Sequence, residues 1–260
     1  MMLELPIVGS VVVFLGVVAR ITGFMMSIPG LNQGQIPVKF RVAITLAASV
    51  AMLPVLPASY AEAGVPITTP AGQFLMILSE LGLGLTVGLG ARLLVETLIF
   101  GGVAIDRDLG YMMTEAFNPT VEDMTSVVAG MFVQIFFVIF ITMDGHLDLL
   151  RVAAASFSTI PAGGFYPSEA LFESVTDMSV MVLIDGFVLA LPVFTIILLT
   201  NLVLAFMARF GQEFEVMMLA FPIRLGLGIF ILIAMLPVLV YMMDDLSKQL
   251  INWASWLSSG

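Results

Sequence analysis

Six long apolar stretches dominate the sequence and restrict the folds that it can adopt. They cover about residues 5–28, 42–56, 73–105, 127–143, 178–207 and 216–243. A helix of about 20 apolar residues is long enough to cross the hydrocarbon layer of a bilayer. No segment between the stretches has the length of a separate soluble domain. We therefore predict an all-α, polytopic integral membrane protein with about six apolar helices, in which residues 1–260 form a single membrane domain.

Two stretches do not have the length of a simple crossing. The second has about 15 residues and ends at Pro54 and Pro57, so it barely spans a bilayer. The third has 33 residues, which would make one helix of about 50 Å. It either tilts and projects into solvent or breaks near Gly101 and Gly102. In the fifth stretch, Pro192 predicts a kink.

The composition supports the membrane class and excludes several others. Charged residues make up 11% of the chain, against about 25% in soluble domains. The formal net charge of -10 disfavours nucleic acid or anionic headgroups as the main partner, and it favours basic or neutral partners. Because the chain has no cysteine, disulfides, thiolate metal sites and cysteine nucleophiles are excluded.

Basic residues are distributed unevenly among the ends of the stretches and the connections between them. The bias comes from Arg20, Lys39, Arg41, Arg107 and Arg209. If all six stretches cross the membrane, these connections are cytoplasmic and both termini lie outside. Arg151 and Lys248 oppose this orientation.

The sequence offers no set of catalytic groups. His146 is the only histidine, so a His-based metal site and a Ser-His-Asp triad are impossible within the chain. We expect His146 to be a polar residue at a helix end. Gly84 and Gly88 belong to a glycine series inside an apolar stretch, where a spacing of four predicts close helix packing rather than a phosphate loop. We predict no cofactor and no enzymatic activity.

Besides Arg20, which is near the end of the first stretch, five charged residues lie within apolar stretches: Glu80, Arg92, Glu96, Asp185 and Arg224. Such residues are costly in a membrane unless they are paired or reach water. Arg92 and Glu96 are one helical turn apart and can pair. We favour ion pairs or interchain contacts that fix assembly, and the alternative is a cation or proton pathway.

The polar loop at residues 106–126 contains an unexpected apolar group. Its members are Tyr111, Met112, Met113 and Phe117, and Gly110, Asn118 and Pro119 belong to the same stretch. A flexible apolar lining of this kind can close an aqueous path by dewetting and still deform around a passing chain. A loop folded onto its own helices explains the same residues equally well.

From about residue 18 to 230 the chain carries an ordered series of motifs, which include Arg20-x-x-Gly23, Ile36-Pro37-x-x-x-Arg41, Glu80-x-x-x-Gly84-x-x-x-Gly88, Phe117-Asn118-Pro119, Gly145-His146, Leu191-Pro192-Val193 and Phe221-Pro222-Ile223. Their order and spacing resemble the FliR family of flagellar export-gate proteins, which is related to the SctT proteins of virulence-type secretion. The chain departs from the family pattern at Gly211, where a proline is common, and at Asp144, where a small or amide residue is usual.

The resemblance implies a subunit of the flagellar type III export gate in the bacterial inner membrane, at the flagellar basal body. It implies a helical channel built with FliP-like and FliQ-like subunits, engaging an FlhB-like subunit, through which unfolded flagellar proteins pass. It also implies that a loop at about residues 108–122 plugs the pore, which favours the gating interpretation of the apolar group. Some helical hairpins would then not fully span the membrane.

The buried charges and the prolines leave an alternative class, a stand-alone ion-coupled small-molecule transporter. That class predicts a midplane site at discontinuous helices in two related halves, and we find no internal repeat in the sequence. An intramembrane hydrolase is the weakest alternative, because no nucleophile and base are paired in the sequence.

Overall fold

A computed structural model describes residues 7–27, 37–57, 60, 69–110, 126–210 and 216–259. Within these ranges every regular element is helical. The α-helices are α1 (Ile7–Ser27), α2 (Val38–Met52), α3 (Pro70–Leu109), α4 (Val127–Thr142), α5 (Gly145–Thr159), α6 (Glu169–Phe210) and α7 (Val216–Ser259), and a 3-10 turn at Leu53–Val55 continues α2. The predicted all-α, polytopic fold is confirmed.

Each apolar stretch of the sequence overlaps one helix, and α5 is an additional helix. It lies in residues 144–177, where the sequence predicted only a polar connection. One face of α5 is buried, at Leu149, Val152, Ala153, Ser156 and Phe157. The spacing of these residues is that of an amphipathic helix, whose polar face lowers the mean hydropathy, so that it does not stand out as an apolar stretch.

Four helical segments in the described part of the chain are long and apolar enough to cross a membrane. They are Val38–Val55, Pro70–Leu109, Glu169–Arg209 and Ala220–Leu246. The number rises to five if α4 and α5 together form one broken crossing. Apolar helices therefore outnumber the segments with the length of a crossing, because α4 and the segment Val11–Ser27 of α1 are individually short.

The long helices continue through glycines and prolines in their interiors. α3 is one helix of 40 residues that includes Gly101 and Gly102, so of the two alternatives for the third stretch the unbroken helix is correct. Its length is about 60 Å, twice the hydrocarbon thickness of about 30 Å. α6 likewise includes Pro192, and α7 includes Pro222 and Pro237.

The chain divides into two compact units. The first contains residues 1–94, 144–178 and 247–260, and the second contains residues 95–143 and 179–246. In the first unit the core is formed where α1, α3 and α5 meet, at Val17, Ile21, Phe24, Leu83 and Phe157. In the second, α3 packs closely on α4 at Gly102 and on α6 at Gly101, and the buried side chains of these helices include Leu98, Ile105, Phe132, Leu189 and Val193.

Close packing of α1 on α3 requires small residues on α3. A Cβ atom at Gly84 would collide with the carbonyl oxygen of Arg20, and one at Gly88 would lie 2.8 Å from the carbonyl oxygen of Phe24. The two helices therefore approach at backbone distance, as a spacing of four between small residues allows. This approach brings Arg20 and Glu80 to the same depth of the core.

Candidate functional site

Glu80 and Arg20 form a buried ion pair between α3 and α1. Arg20 Nε lies 2.6 Å from Glu80 Oε2, and Arg20 Nη2 donates to Glu80 Oε1 at 3.0 Å. The Arg20 side chain is 3% exposed and the Glu80 side chain is 0% exposed. This is the two-pronged arrangement in which the planar guanidinium matches both carboxylate oxygens.

The polar atoms that remain on the pair are also satisfied. Arg20 Nη1 donates to the backbone oxygen of Ser156 at 2.7 Å, and Nη2 donates to that of Ile160 at 3.1 Å. The backbone N–H of Gly163 donates to Glu80 Oε1 at 3.0 Å. A buried charge is tolerated when its partner and its hydrogen bonds are complete. The pair thus joins α1, α3, the end of α5 and the turn that follows it.

Two aromatic rings enclose the guanidinium of Arg20. Its central carbon lies 4.4 Å from the centre of the Phe157 ring and 5.3 Å from that of Tyr60. The rings meet edge to face, with centres 5.2 Å apart. Burial raises the pKa of the Tyr60 hydroxyl far above its usual range, and the negative charge of Glu80 acts in the same direction. Tyr60 therefore stays neutral, and the ion pair is the charged part of this cluster.

The other charged residues singled out in the sequence have different surroundings. Arg92 is exposed on α3, and Glu96, Asp185 and Arg224 are half-buried on α3, α6 and α7. The hydrogen bonds of the Arg20–Glu80 pair all come from the first unit, and none involves these residues. Among the described residues no three His, Asp or Glu side chains are grouped closely enough to hold a metal ion. His146 is exposed at the second position of α5.

A second cluster joins the ends of the helices that flank residues 111–125. Asp106, near the end of α3, is 2% exposed. It accepts hydrogen bonds from the Ser126 hydroxyl and, at 3.2 Å, from the backbone N–H of Val128. The Ser126 oxygen in turn accepts from the backbone N–H of Ala129 at 3.1 Å. Asp106 and Ser126 together cap the start of α4, where the helix dipole favours a negative charge.

Of the residues predicted to form the plug, Gly110 is described. It has a φ of +84°, in the left-handed region that glycine adopts easily. A Cβ atom at this position would lie 3.7 Å from the Phe221 ring of α7. Tyr111, Met112, Met113, Phe117, Asn118 and Pro119 lie outside the described residues. The structure therefore describes the two ends of this loop, up to Gly110 and from Ser126 onward.

The sequence did not predict the ion pair of Arg20, the burial of Tyr60 beside it, or the helix cap formed by Asp106 and Ser126. The pairing of Arg20 had a signal in the sequence. Arg20 is a basic residue near the end of one apolar stretch, and Glu80 is a carboxylate inside another. Ser126 had one too, because a serine directly before an apolar run is typical of a helix N-cap. The partner in each case is distant in sequence, and only the packing identifies it.

Comparisons with known proteins extend over nearly the whole chain. A family model described as bacterial export proteins, family 1, matches residues 11–250. Flagellar biosynthetic protein FliR of Pectobacterium carotovorum subsp. carotovorum is 27% identical over 233 residues, covering 90% of this chain and 87% of that protein. FliR of Escherichia coli strain K12 is 23% identical with the same coverage of both chains.

A protein of a second kind also matches. Yop proteins translocation protein T of Yersinia pestis is 29% identical over 175 residues, covering 66% of this chain and 65% of that protein. The predicted resemblance to the FliR family, and the relation to SctT proteins, are thereby confirmed. Because the family model covers all seven helices in whole or in large part, this membrane protein belongs to bacterial export proteins, family 1.

Proposed function

We propose that the chain is a non-enzymatic subunit of the flagellar type III protein export gate. It would form, with FliP-like and FliQ-like partners, a gated channel for unfolded flagellar proteins, and it would engage an FlhB-like subunit. The observation that carries this proposal is the match to FliR proteins over 90% of the chain. The site of action would be the bacterial inner membrane, at the flagellar basal body.

The exposed surface of α6 supports an assembly with other subunits. Large apolar side chains are exposed from Val180 to Met207, a length of about 40 Å along a helix. The hydrocarbon layer of a bilayer is only about 30 Å thick. An upright α6 therefore has more apolar surface than lipid alone covers, and neighbouring protein chains are suitable to cover the rest.

The anchored ends of the loop at residues 111–125 support a role in gating. The bonds between Asp106 and Ser126 hold the start and the end of this segment together. An apolar plug closes a pore only if it is attached at a defined place. We propose that Gly110 positions the plug and that Tyr111, Met112, Met113, Phe117, Asn118 and Pro119 form it.

The buried charges are better suited to assembly than to ion transport. Glu80 is neutralised by Arg20 and has its hydrogen bonds filled, so it is a poor carrier of protons or cations. The prolines of α6 and α7 lie in continuous helices, not in the discontinuous ones of a transporter site. We propose that Arg92, Glu96, Asp185 and Arg224 contact water or neighbouring subunits in the assembled gate.

A subunit census tests the proposal. The chain is tagged in a motile bacterium, purified in a mild detergent, and the mass and composition of its complex are measured. We expect FliP-like and FliQ-like subunits in fixed ratios, and we expect deletion of the gene to abolish swimming. A deletion strain that still swims, or a pure chain that takes up solute when reconstituted alone, would contradict the export-gate function.

A further inference from the structure

A groove between α1 and α2 has the composition of a lipid site. Its volume is about 360 Å³, and it is lined by residues from Val18 to Met26 on α1 and from Val38 to Leu46 on α2. This is within the range of about 300–1,000 Å³ that ligand pockets occupy. The lining extends for about 12 Å along each helix.

The lining is apolar apart from one cationic side chain. Most of its members are aliphatic or methionine side chains. The hydroxyls of Thr22 and Thr45 donate to the backbone oxygens of Val18 and Arg41, at 2.6 and 2.9 Å. Both hydroxyl protons are therefore already donated within their own helices. The only charged group in the lining is Arg41.

Positive charge is concentrated at the end of the groove where α2 begins. Arg41 lies in the first turn of α2, Lys39 is exposed in the same turn, and neither α1 nor α2 contains Asp or Glu. The amino-terminal end of α2 adds the positive end of a helix dipole. In a chain with a net charge of -10, this end is a local exception.

We propose that this groove binds an anionic phospholipid, with one acyl chain along the apolar lining and the phosphate at Arg41. A ligand with an apolar body and a single anionic head matches both parts of the groove. By the positive-inside rule, these basic residues also favour the cytoplasmic side for this end, where anionic lipids are enriched. The site is independent of the plug and of the Arg20–Glu80 pair.

Native mass spectrometry of the full-length chain in a neutral detergent tests this site. Phosphatidylglycerol and phosphatidylcholine with identical acyl chains are added in turn. We expect preferential retention of phosphatidylglycerol, and a loss of about fivefold in that preference for Arg41→Gln, the factor that one basic side chain contributes near an anionic surface. Lys39→Gln should reduce the preference less, because Lys39 does not line the groove. Arg41→Lys should keep most of the preference, because it keeps the charge.

Arg151→Gln is the matched control, since Arg151 is an exposed arginine on α5 whose removal changes the net charge equally. It should leave the preference unchanged. Equal retention of the two lipids by the unmodified chain, or the same loss from Arg151→Gln as from Arg41→Gln, would overturn the proposal. Inorganic phosphate should not displace the lipid, because it leaves the apolar groove empty, and displacement would also overturn it.

A variant that fills the groove distinguishes the contribution of the acyl chain to binding from that of the headgroup. Val42→Trp should reduce the retention of phosphatidylglycerol several-fold while the thermal unfolding temperature stays within a few degrees, and Leu46→Phe provides a milder version should the first fail to fold. The measurement is then repeated on the chain purified within its complex. A lipid preference that vanishes there would mean that a partner helix fills the groove, and the lipid site would be wrong.

Discussion

At the scale of single residues, Arg20 and Glu80 carry opposite charges in a place that excludes water. Breaking such a pair leaves an uncompensated buried charge, which costs about 3–5 kcal/mol. We therefore expect Glu80→Leu to lower the thermal unfolding temperature of the purified chain strongly. Glu80→Gln should be less damaging, because its side-chain oxygen still accepts a hydrogen bond from Gly163. Unfolding in detergent, followed by loss of solubility on heating, measures both.

The exposed pair of Arg151 and Asp148 is the matched control for the buried one. Its contact distance is also 2.6 Å, but the Arg151 side chain is 74% exposed. Removing this pair by Asp148→Asn should change stability by less than about 1 kcal/mol. If Asp148→Asn and Glu80→Leu had equal effects, burial would not be the reason for the importance of the Arg20–Glu80 pair.

Asp144 provides a second test at the residue scale. It has a φ of +58°, the only left-handed conformation of a non-glycine residue in the described ranges. Asparagine and glycine adopt this conformation readily, which agrees with the small or amide residue that the family resemblance implies here. We expect Asp144→Gly and Asp144→Asn to preserve or raise stability. Asp144→Val should lower it by about 1–2 kcal/mol, measured by the same unfolding assay.

At the scale of helices, the contact of α1 with α3 depends on side chains that are absent. We expect Gly84→Ala and Gly88→Ala to reduce stability and the yield of folded chain, because each added methyl group collides with the backbone or side chains of α1. Gly130→Ala is the control, since nothing lies within 4 Å of a Cβ atom there. Near the start of α4 it should be neutral or stabilise by at most about 0.5–1 kcal/mol. A destabilisation by Gly130→Ala equal to that of Gly84→Ala would contradict close packing as the cause.

The junction of α3 with α4 depends on Asp106 and Ser126. Asp106→Ala removes the acceptor for the Ser126 hydroxyl and the Val128 N–H, and Ser126→Ala removes the N-cap of α4. Each should cost about 1–2 kcal/mol. Because the two residues belong to one network, the double variant should cost less than the sum of the single ones. Additive losses in a double-mutant cycle would show that the residues act separately.

At the scale of the whole molecule, the proposed plug is tested in the assembled gate. The combined changes Met112→Ala, Met113→Ala and Phe117→Ala remove much of the apolar volume that excludes water from a closed pore. We expect an increased leak of ions or small molecules through the gate in cells or vesicles. Met131→Ala with Met143→Ala is the control, because both methionines are exposed and lie outside the loop. An unchanged leak in the loop variant would make the loop a structural element.

The sequence alone was sufficient for the fold class and the family. Backbone polar groups must be satisfied inside a membrane, so a chain with six long apolar stretches is restricted to helices. The ordered motifs identified the family because they extend across most of those stretches. The helices that were predicted from the sequence are those that consist of one continuous apolar stretch. Helix α5 was missed because only one of its faces is apolar.

The tertiary structure decided which residues meet. Glu80 was recognisable as a buried charge, but its partner Arg20 is 60 residues away in the chain. Likewise, Asp106 caps a helix that begins 21 residues later. Apolar length is set by neighbouring residues and can be recognised directly in the sequence. Which side chains pair depends on the depth and the rotation at which two helices pack. Gly84 and Gly88 allow α1 to approach closely, but the position of α1 along α3 is set by both helices together.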